Sequence, residues 1–157
     1  MSEERKYTLR EGHQNFAVTL FNQVWELLEK ESRTREDDDR MVHAAHASRF
    51  HWGEIGEPRN LAVGEWQISR VYATLKRPES ALRHARRCLE IIRENDIRGF
   101  FLASAYEGMA RAYSAAGERK ECERYINLAK AEGELVKDKE DRDLLYGQLR
   151  EIPEYRE

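Results

Sequence analysis

Cysteine, proline and long apolar runs are scarce in this chain, and each scarcity excludes something. Its 157 residues include only two cysteines, Cys88 and Cys122, too few for a disulfide framework. The three prolines, Pro58, Pro78 and Pro153, stand near expected helix boundaries, where a residue without an N–H is tolerated. No unbroken apolar stretch approaches the length that spans a bilayer. The charged start, residues 1–6, lacks the apolar core of a signal peptide, so a soluble cytoplasmic protein is expected. Neither sign of charge dominates: 27 basic and 30 acidic residues leave a net charge of -3. That gives no basic surplus to attract nucleic acid. No period-two alternation suggests a strand, and no nucleophile elbow, phosphate loop or Cys-x-x-Cys pair occurs.

What is present reads as helix. Aliphatic, aromatic and Cys residues make up 40% of the chain, which excludes disorder despite 36% charged residues. A mean hydropathy of -0.86 suits long helix faces exposed to water. Phe16, Leu20, Val24, Leu27 and Leu28 recur at helical spacing and predict a first helix over residues 12–31. Thr34 is the expected cap of a second helix reaching Trp52, with Gly53 and Gly56 ending it. Glu36, Asp37, Asp38 and Asp39 crowd its first turn, where the helix dipole favours negative charge; a cation site is the competing reading. Further helices are expected over residues 59–76 and 78–94. A fifth is expected from a cap at Asp96 to Gly117, a sixth over 118–136 and a seventh over 138–150. The fold class is therefore all-α, one domain of about seven helices. Its hairpins cover residues 12–54, 58–95 and 97–136, and a helix over 138–150 caps the end. Leu144, Leu145 and Leu149 form the apolar stripe of that cap, with Asp141, Arg142, Asp143, Gln148 and Arg150 on its wet side.

The strongest signal is an internal repeat. Ile68, Arg70, Tyr72, Ala81, Arg83 and Cys88 are answered, at a constant offset of 41 residues, by Met109, Arg111, Tyr113, Cys122, Arg124 and Ala129. A fixed period of this size implies stacked helical hairpins, each burying its apolar face on its neighbour. Cys88 and Cys122 fall where the other copy has alanine, which explains them as small residues at close helix contacts.

The pattern Ala105-Tyr106-x-x-Met109-Ala110-x-x-Tyr113-x-x-x-Gly117, followed by Cys122, Ile126 and Ala129, resembles the tetratricopeptide repeat. Trp66-x-Ile68-Ser69-x-x-Tyr72 with Ala81, Ala85 and Cys88 resembles it more loosely, with Lys76-Arg77 where the turn glycine belongs. The period of 41 exceeds the family's 34 and implies longer helices. The resemblance covers residues 61–136 and implies a short right-handed solenoid acting as a non-enzymatic interaction scaffold. In that family the first helix of each hairpin lines a concave groove that holds a protein or peptide partner. Carried over, the groove-facing set is Val63, Trp66, Gln67 and Arg70, then Ser104, Glu107, Gly108 and Arg111. Of these, Trp66, Gln67, Arg70, Glu107 and Arg111 are the candidate partner-binding residues. Arg70 and Arg111 suit carboxylates or phosphates, or they form internal ion pairs with Glu65 or Glu107.

The second concentration of chemistry is a histidine-rich helix. His43 and His46, three residues apart, share a face and are placed to share a divalent transition metal, with Glu65 or His84 as third ligand. Tight helix packing against the neighbouring alanines is the plainer reading, in which no cofactor is bound. Tyr72, Tyr106 and Tyr113 read as core aromatics. A homodimer with Trp25 or Trp52 in its contact is a further possibility.

Overall fold

The computed structural model describes residues 3–157; Met1 and Ser2, part of the charged start, lie outside the described residues. Among those described there are seven α-helices and no strand: α1 (Leu9–Glu29), α2 (Arg35–Ile55), α3 (Pro58–Thr74), α4 (Pro78–Glu94), α5 (Phe100–Ala115), α6 (Arg119–Gly133) and α7 (Lys139–Arg150). None is long and apolar enough to cross a membrane.

Local chemistry explains the helix starts. Thr8 opens α1 and Thr34 opens α2, each in a reciprocal capping box, with Glu11 and Asp37 respectively. The acidic run falls in the first turn of α2. Lys30 reaches Asp37 at 2.7 Å and Arg33 reaches Asp38 at 2.8 Å. Pro58 and Pro78 begin α3 and α4.

The endings carry a shared device. At the ends of α3, α4 and α5, residues Lys76, Asp96 and Gly117 take positive φ values of 58°, 52° and 74°. In each case the following N–H closes back on the helix: Arg77 onto the Tyr72 carbonyl, Ile97 onto Ile92, and Glu118 onto Tyr113. This is the Schellman closure. It corrects the sequence expectation for Asp96, which ends α4 rather than capping α5. Helix α5 begins later, after Gly99. Helix α6 also stops at Gly133, short of the expected Val136, and Val136 is buried in the connection to α7.

Consecutive helices pair as α1/α2, α3/α4 and α5/α6, with α2 against α3 and α4 against α5. Helix α7 lies on α5 and α6. The core divides in two. The larger part joins the second and third hairpins to α7 through Ala85, Cys88, Ile92, Met109, Ile126 and Leu149. The smaller part joins the first hairpin to α3 through Val24, Met41, Ala44, Ala45, Ile68 and Val71. Gly108 marks a close approach of α3 and α5: a Cβ there would stand 3.0 Å from Trp66 Cδ1. Cys88 and Cys122 are buried free thiols. Burial, reinforced by Glu154, pushes the Cys122 thiol up to about 12; burial, reinforced by Glu65 and Glu107, also raises Cys88.

The stripe on α7 is shifted from its expected position. Leu145 and Leu149 are buried, joined by Gln148 and, past the helix, by Ile152. Leu144 is 52% exposed. One helical position moves a side chain by about 100°, so adjacent Leu144 and Leu145 cannot both enter the same interface.

Candidate functional site

Helices α1, α3, α5 and α7 border a cavity of about 510 Å³. Its walls are mostly apolar. Phe21 and Trp25 come from α1, Val63 and Trp66 from α3, Phe100 and Phe101 from α5, and Leu144 from α7. Cys88 and Ile92 of α4 form its floor, so it penetrates to the core of the second hairpin. A shallower depression of about 290 Å³ adjoins it, sharing Phe21, Val63 and Phe101 and adding Val18, Trp52 and Arg59. Together they make a groove running along α1 from Val18 to Glu29, roughly 16 Å at the helical rise per residue.

One end of this groove is closed by charge. Trp66 Nε1 donates to Glu107 Oε2 at 2.8 Å, and Arg111 holds the other oxygen of Glu107 at 2.7 Å. Glu107 is fully buried, so the two donors offset the cost of enclosing its carboxylate. Arg70 and Arg111 then converge on one oxygen of Glu151, at 2.7 and 3.3 Å. Arg111 also donates to the Gln148 carbonyl at 2.9 Å. The Arg70 guanidinium carbon lies 5.2 Å from the Trp25 ring centre and 6.0 Å from that of Trp66. Its Nε and Nη1 are buried without a hydrogen-bond acceptor, and the electron-rich indole faces take the acceptor's place.

Of the eight residues expected to face the groove, Val63, Trp66, Arg70 and Ser104 line the cavity, and Gly108 instead lies against the Trp66 ring. Gln67 does not line it either: it is 1% exposed, and its Nε2 donates to the Phe21 carbonyl of α1. Glu107 and Arg111 sit behind the wall, locked to Trp66 and Glu151. Of the ion pairs considered for the arginines, Arg111–Glu107 forms, whereas Arg70 takes Glu151. Sequence reasoning missed Phe21, Trp25, Glu29, Phe100, Phe101 and Glu151. Two were within reach: Trp25 and Glu29 stand one 41-residue period before Trp66 and Arg70.

The histidine candidates lie elsewhere, where α2, α3 and α4 meet. His84 Nδ1 and Glu65 Oε2 are 2.6 Å apart, and Arg49 holds the other Glu65 oxygen at 3.2 Å. His46 Nε2 pairs with the Tyr72 hydroxyl at 2.9 Å, and its ring centre is 5.3 Å from that of His84. His43 is exposed. Among the described residues no three His, Cys, Asp or Glu side chains form a group able to hold a metal ion. Glu65 takes Nδ1 of His84 and Tyr72 takes Nε2 of His46, which leaves one nitrogen on each ring. Burial works to raise the Glu65 carboxyl, but the hydrogen bond and charge of His84, with Arg49, outweigh it and hold the group below its ordinary range. His46 is exposed as well, yet partial desolvation of its ring, then the neighbouring His84, lowers its pKa.

Tyr72, Tyr106 and Tyr113 are half-buried and pack on the core as expected. Trp25 and Trp52, proposed for a dimer contact, are also half-buried and line the groove. Comparison with protein-family models finds no match, and comparison with curated proteins finds no significant one.

Proposed function

We propose that this chain is a non-catalytic binding module, built as tetratricopeptide-like stacked hairpins, that holds a segment of a protein partner in the groove beside α1. The observation that carries the reading is the 510 Å³ cavity walled by Phe21, Trp25, Trp66, Phe100 and Phe101. Its size lies within the range of specific ligand sites, and large aromatic walls are the usual anchors of protein recognition. The shallower depression makes the site elongated, which favours a chain segment over a compact metabolite. The constant offset supports the hairpin stacking: Trp66 and Glu107, 41 residues apart, meet directly across α3 and α5. Two buried free thiols fit a reducing compartment such as the cytoplasm.

Site-specific photocrosslinking tests this. A benzophenone side chain at Leu144, exposed and on the cavity rim, should yield a protein-sized adduct in cells. Adding Val63→Trp, which fills the space between the two depressions, should abolish that adduct without altering the helical circular-dichroism signal. An adduct undiminished by Val63→Trp, or none at all from Leu144, overturns the groove as the binding surface.

A further inference from the structure

We infer that the partner segment carries a bulky apolar side chain next to a basic one, with the base received by Glu29. This rests on the groove reading and adds the partner's charge to it.

The two arginines at first suggest an anionic partner, but the geometry uses them internally. Glu151 binds Arg70 at 2.7 Å and Arg111 at 3.3 Å, and the indoles of Trp25 and Trp66 flank the Arg70 guanidinium. An incoming carboxylate or phosphate would have to displace Glu151 and would leave that carboxylate uncompensated on the same rim. The remaining charge on the cavity lining is Glu29. It lies one turn past Trp25 on α1, and no cation stands within ion-pair distance of it among the described residues. Its neighbour Lys30 is drawn away, onto Asp37 at 2.7 Å. Glu26, also exposed and unpaired among the described residues, adds negative charge one turn back on the same helix.

The repeat sharpens the point. Glu29, Arg70 and Arg111 occupy one repeat position in the three hairpins. The second and third hairpins place a cation there and neutralise it internally; the first places an anion and leaves it open beside an aromatic wall. A cation approaching Glu29 also comes within reach of the Trp25 ring.

A random 12-residue peptide library displayed on phage, selected on the full chain and then on Val63→Trp, reads this out. Peptides that bind wild type but not Val63→Trp should share a large apolar residue with Lys or Arg close by. A fluorescein-labelled synthetic consensus peptide, followed by anisotropy, should bind Glu29→Gln about two- to fivefold more weakly, as loss of an exposed ion pair implies. The difference should shrink in high salt, and selection on Glu29→Lys should shift toward acidic residues. An apolar consensus without basic residues, or equal binding to wild type and Glu29→Gln, overturns the charge inference and leaves the groove standing. If no selected peptide distinguishes wild type from Val63→Trp, the groove reading falls, and this inference with it.

Discussion

Helix α3 meets the first helices of its two neighbouring hairpins in different ways. Against α5 it is closed: Gly108 lets the Trp66 ring approach, and the indole N–H ends on buried Glu107. Against α1 it touches much less, and the repeat-equivalent pair becomes two indoles, Trp25 and Trp66, with ring centres 5.7 Å apart. Two large rings cannot interdigitate as a ring and a carboxylate do, so the helices stand apart and the space between them is the cavity. The same 41-residue offset thus closes α3 on α5 and leaves a cavity between α1 and α3. If the proposed groove holds a partner, stability and binding should be separable by mutation.

The largest effect should come from removing the segment that covers α5 and α6 and ties Arg70 and Arg111 together through Glu151. Truncation after Val136 deletes α7, with Leu145, Leu149 and Ile152, all essentially buried. Each such side chain contributes roughly 1.5–3 kcal/mol. The truncated protein should melt at least about 10 °C lower, expose an apolar face of α5 and α6, and self-associate in light scattering. A monomer with an unchanged melting temperature would make α7 an accessory tail and the cavity an open trough.

Next in size is the closed step itself. Glu107→Ala leaves the Trp66 N–H and the Arg111 guanidinium buried without their acceptor and should cost about 3–5 kcal/mol. Glu107→Gln, which keeps an acceptor of the same shape, should cost distinctly less. A matching pair of variants in the open step, Trp25→Phe and Glu29→Gln, should cost distinctly less, since phenylalanine keeps an aromatic ring beside Trp66 and Arg70 and Glu29 has no ion-pair partner among the described residues. If Trp25→Phe destabilises as much as Glu107→Ala, the two steps are equivalent joints and the comparison fails.

The division between joint and site also marks what was legible in the sequence. The 41-residue offset was readable, because it leaves identical or small residues at fixed spacing, Arg70 with Arg111 and Cys88 with Ala129; that Glu107 closes on Trp66 instead of facing a groove was not. Helix α4 was readable from Pro78 to Glu94, because proline and charge punctuate both ends. The α5 start was not. Asp96 is a good cap residue, and only the closure of Ile97 onto Ile92 assigns it to the preceding helix. The groove was half-readable. Helical periodicity places Trp66, Gln67 and Arg70 on adjoining faces, but it gives no distance between helices. It therefore could not tell that Gln67 is consumed by the Phe21 carbonyl, nor that α1 stands off far enough to leave a cavity. Glu151 was out of reach for a further reason, since its partners Arg70 and Arg111 lie 81 and 40 residues away.

A smaller effect separates the hairpin turns. Lys76 holds the same left-handed closing position as Gly117 one period later. A side chain with a Cβ at positive φ costs roughly 1–2 kcal/mol, partly offset because glycine loses more chain entropy on folding. Lys76→Gly should therefore stabilise by up to about 1 kcal/mol, and Gly117→Ala should destabilise by a similar amount. No heavy atom would crowd a Cβ at Gly117, so any loss there is conformational strain alone. Urea midpoints for the two variants give the comparison directly, and a destabilising Lys76→Gly would show that the lysine side chain has a role its turn geometry does not reveal.

The smallest effect tests how the first hairpin is held. Because α1 leans little on α3, the first hairpin depends on the seam between α2 and α3, where apolar contacts are joined by the polar cluster of His46, Tyr72, His84, Glu65 and Arg49. His46, though exposed as a residue, resists protonation in the fold through partial desolvation of its ring and the nearby His84. As pH falls through the ordinary histidine range near 6.5, the unfolded chain takes up a proton that the folded chain takes up less readily, so stability must fall. Glu65 acts in a different window. Its carboxyl is held below the ordinary range, so its contribution is complete above that range and disappears only as pH falls through the lowered value. Between pH 7.5 and 5.5 the His46 contribution therefore acts without that of Glu65. The melting temperature should decline over this interval in wild type and decline less in His46→Gln. The same interval should leave the anisotropy of a groove-bound peptide largely unaffected until the hairpin itself loosens, because His46 lies outside the cavity lining. An identical decline in His46→Gln would remove His46 from this account and leave the apolar contacts of Met41, Ala45, Ile68 and Val71 to hold the first hairpin.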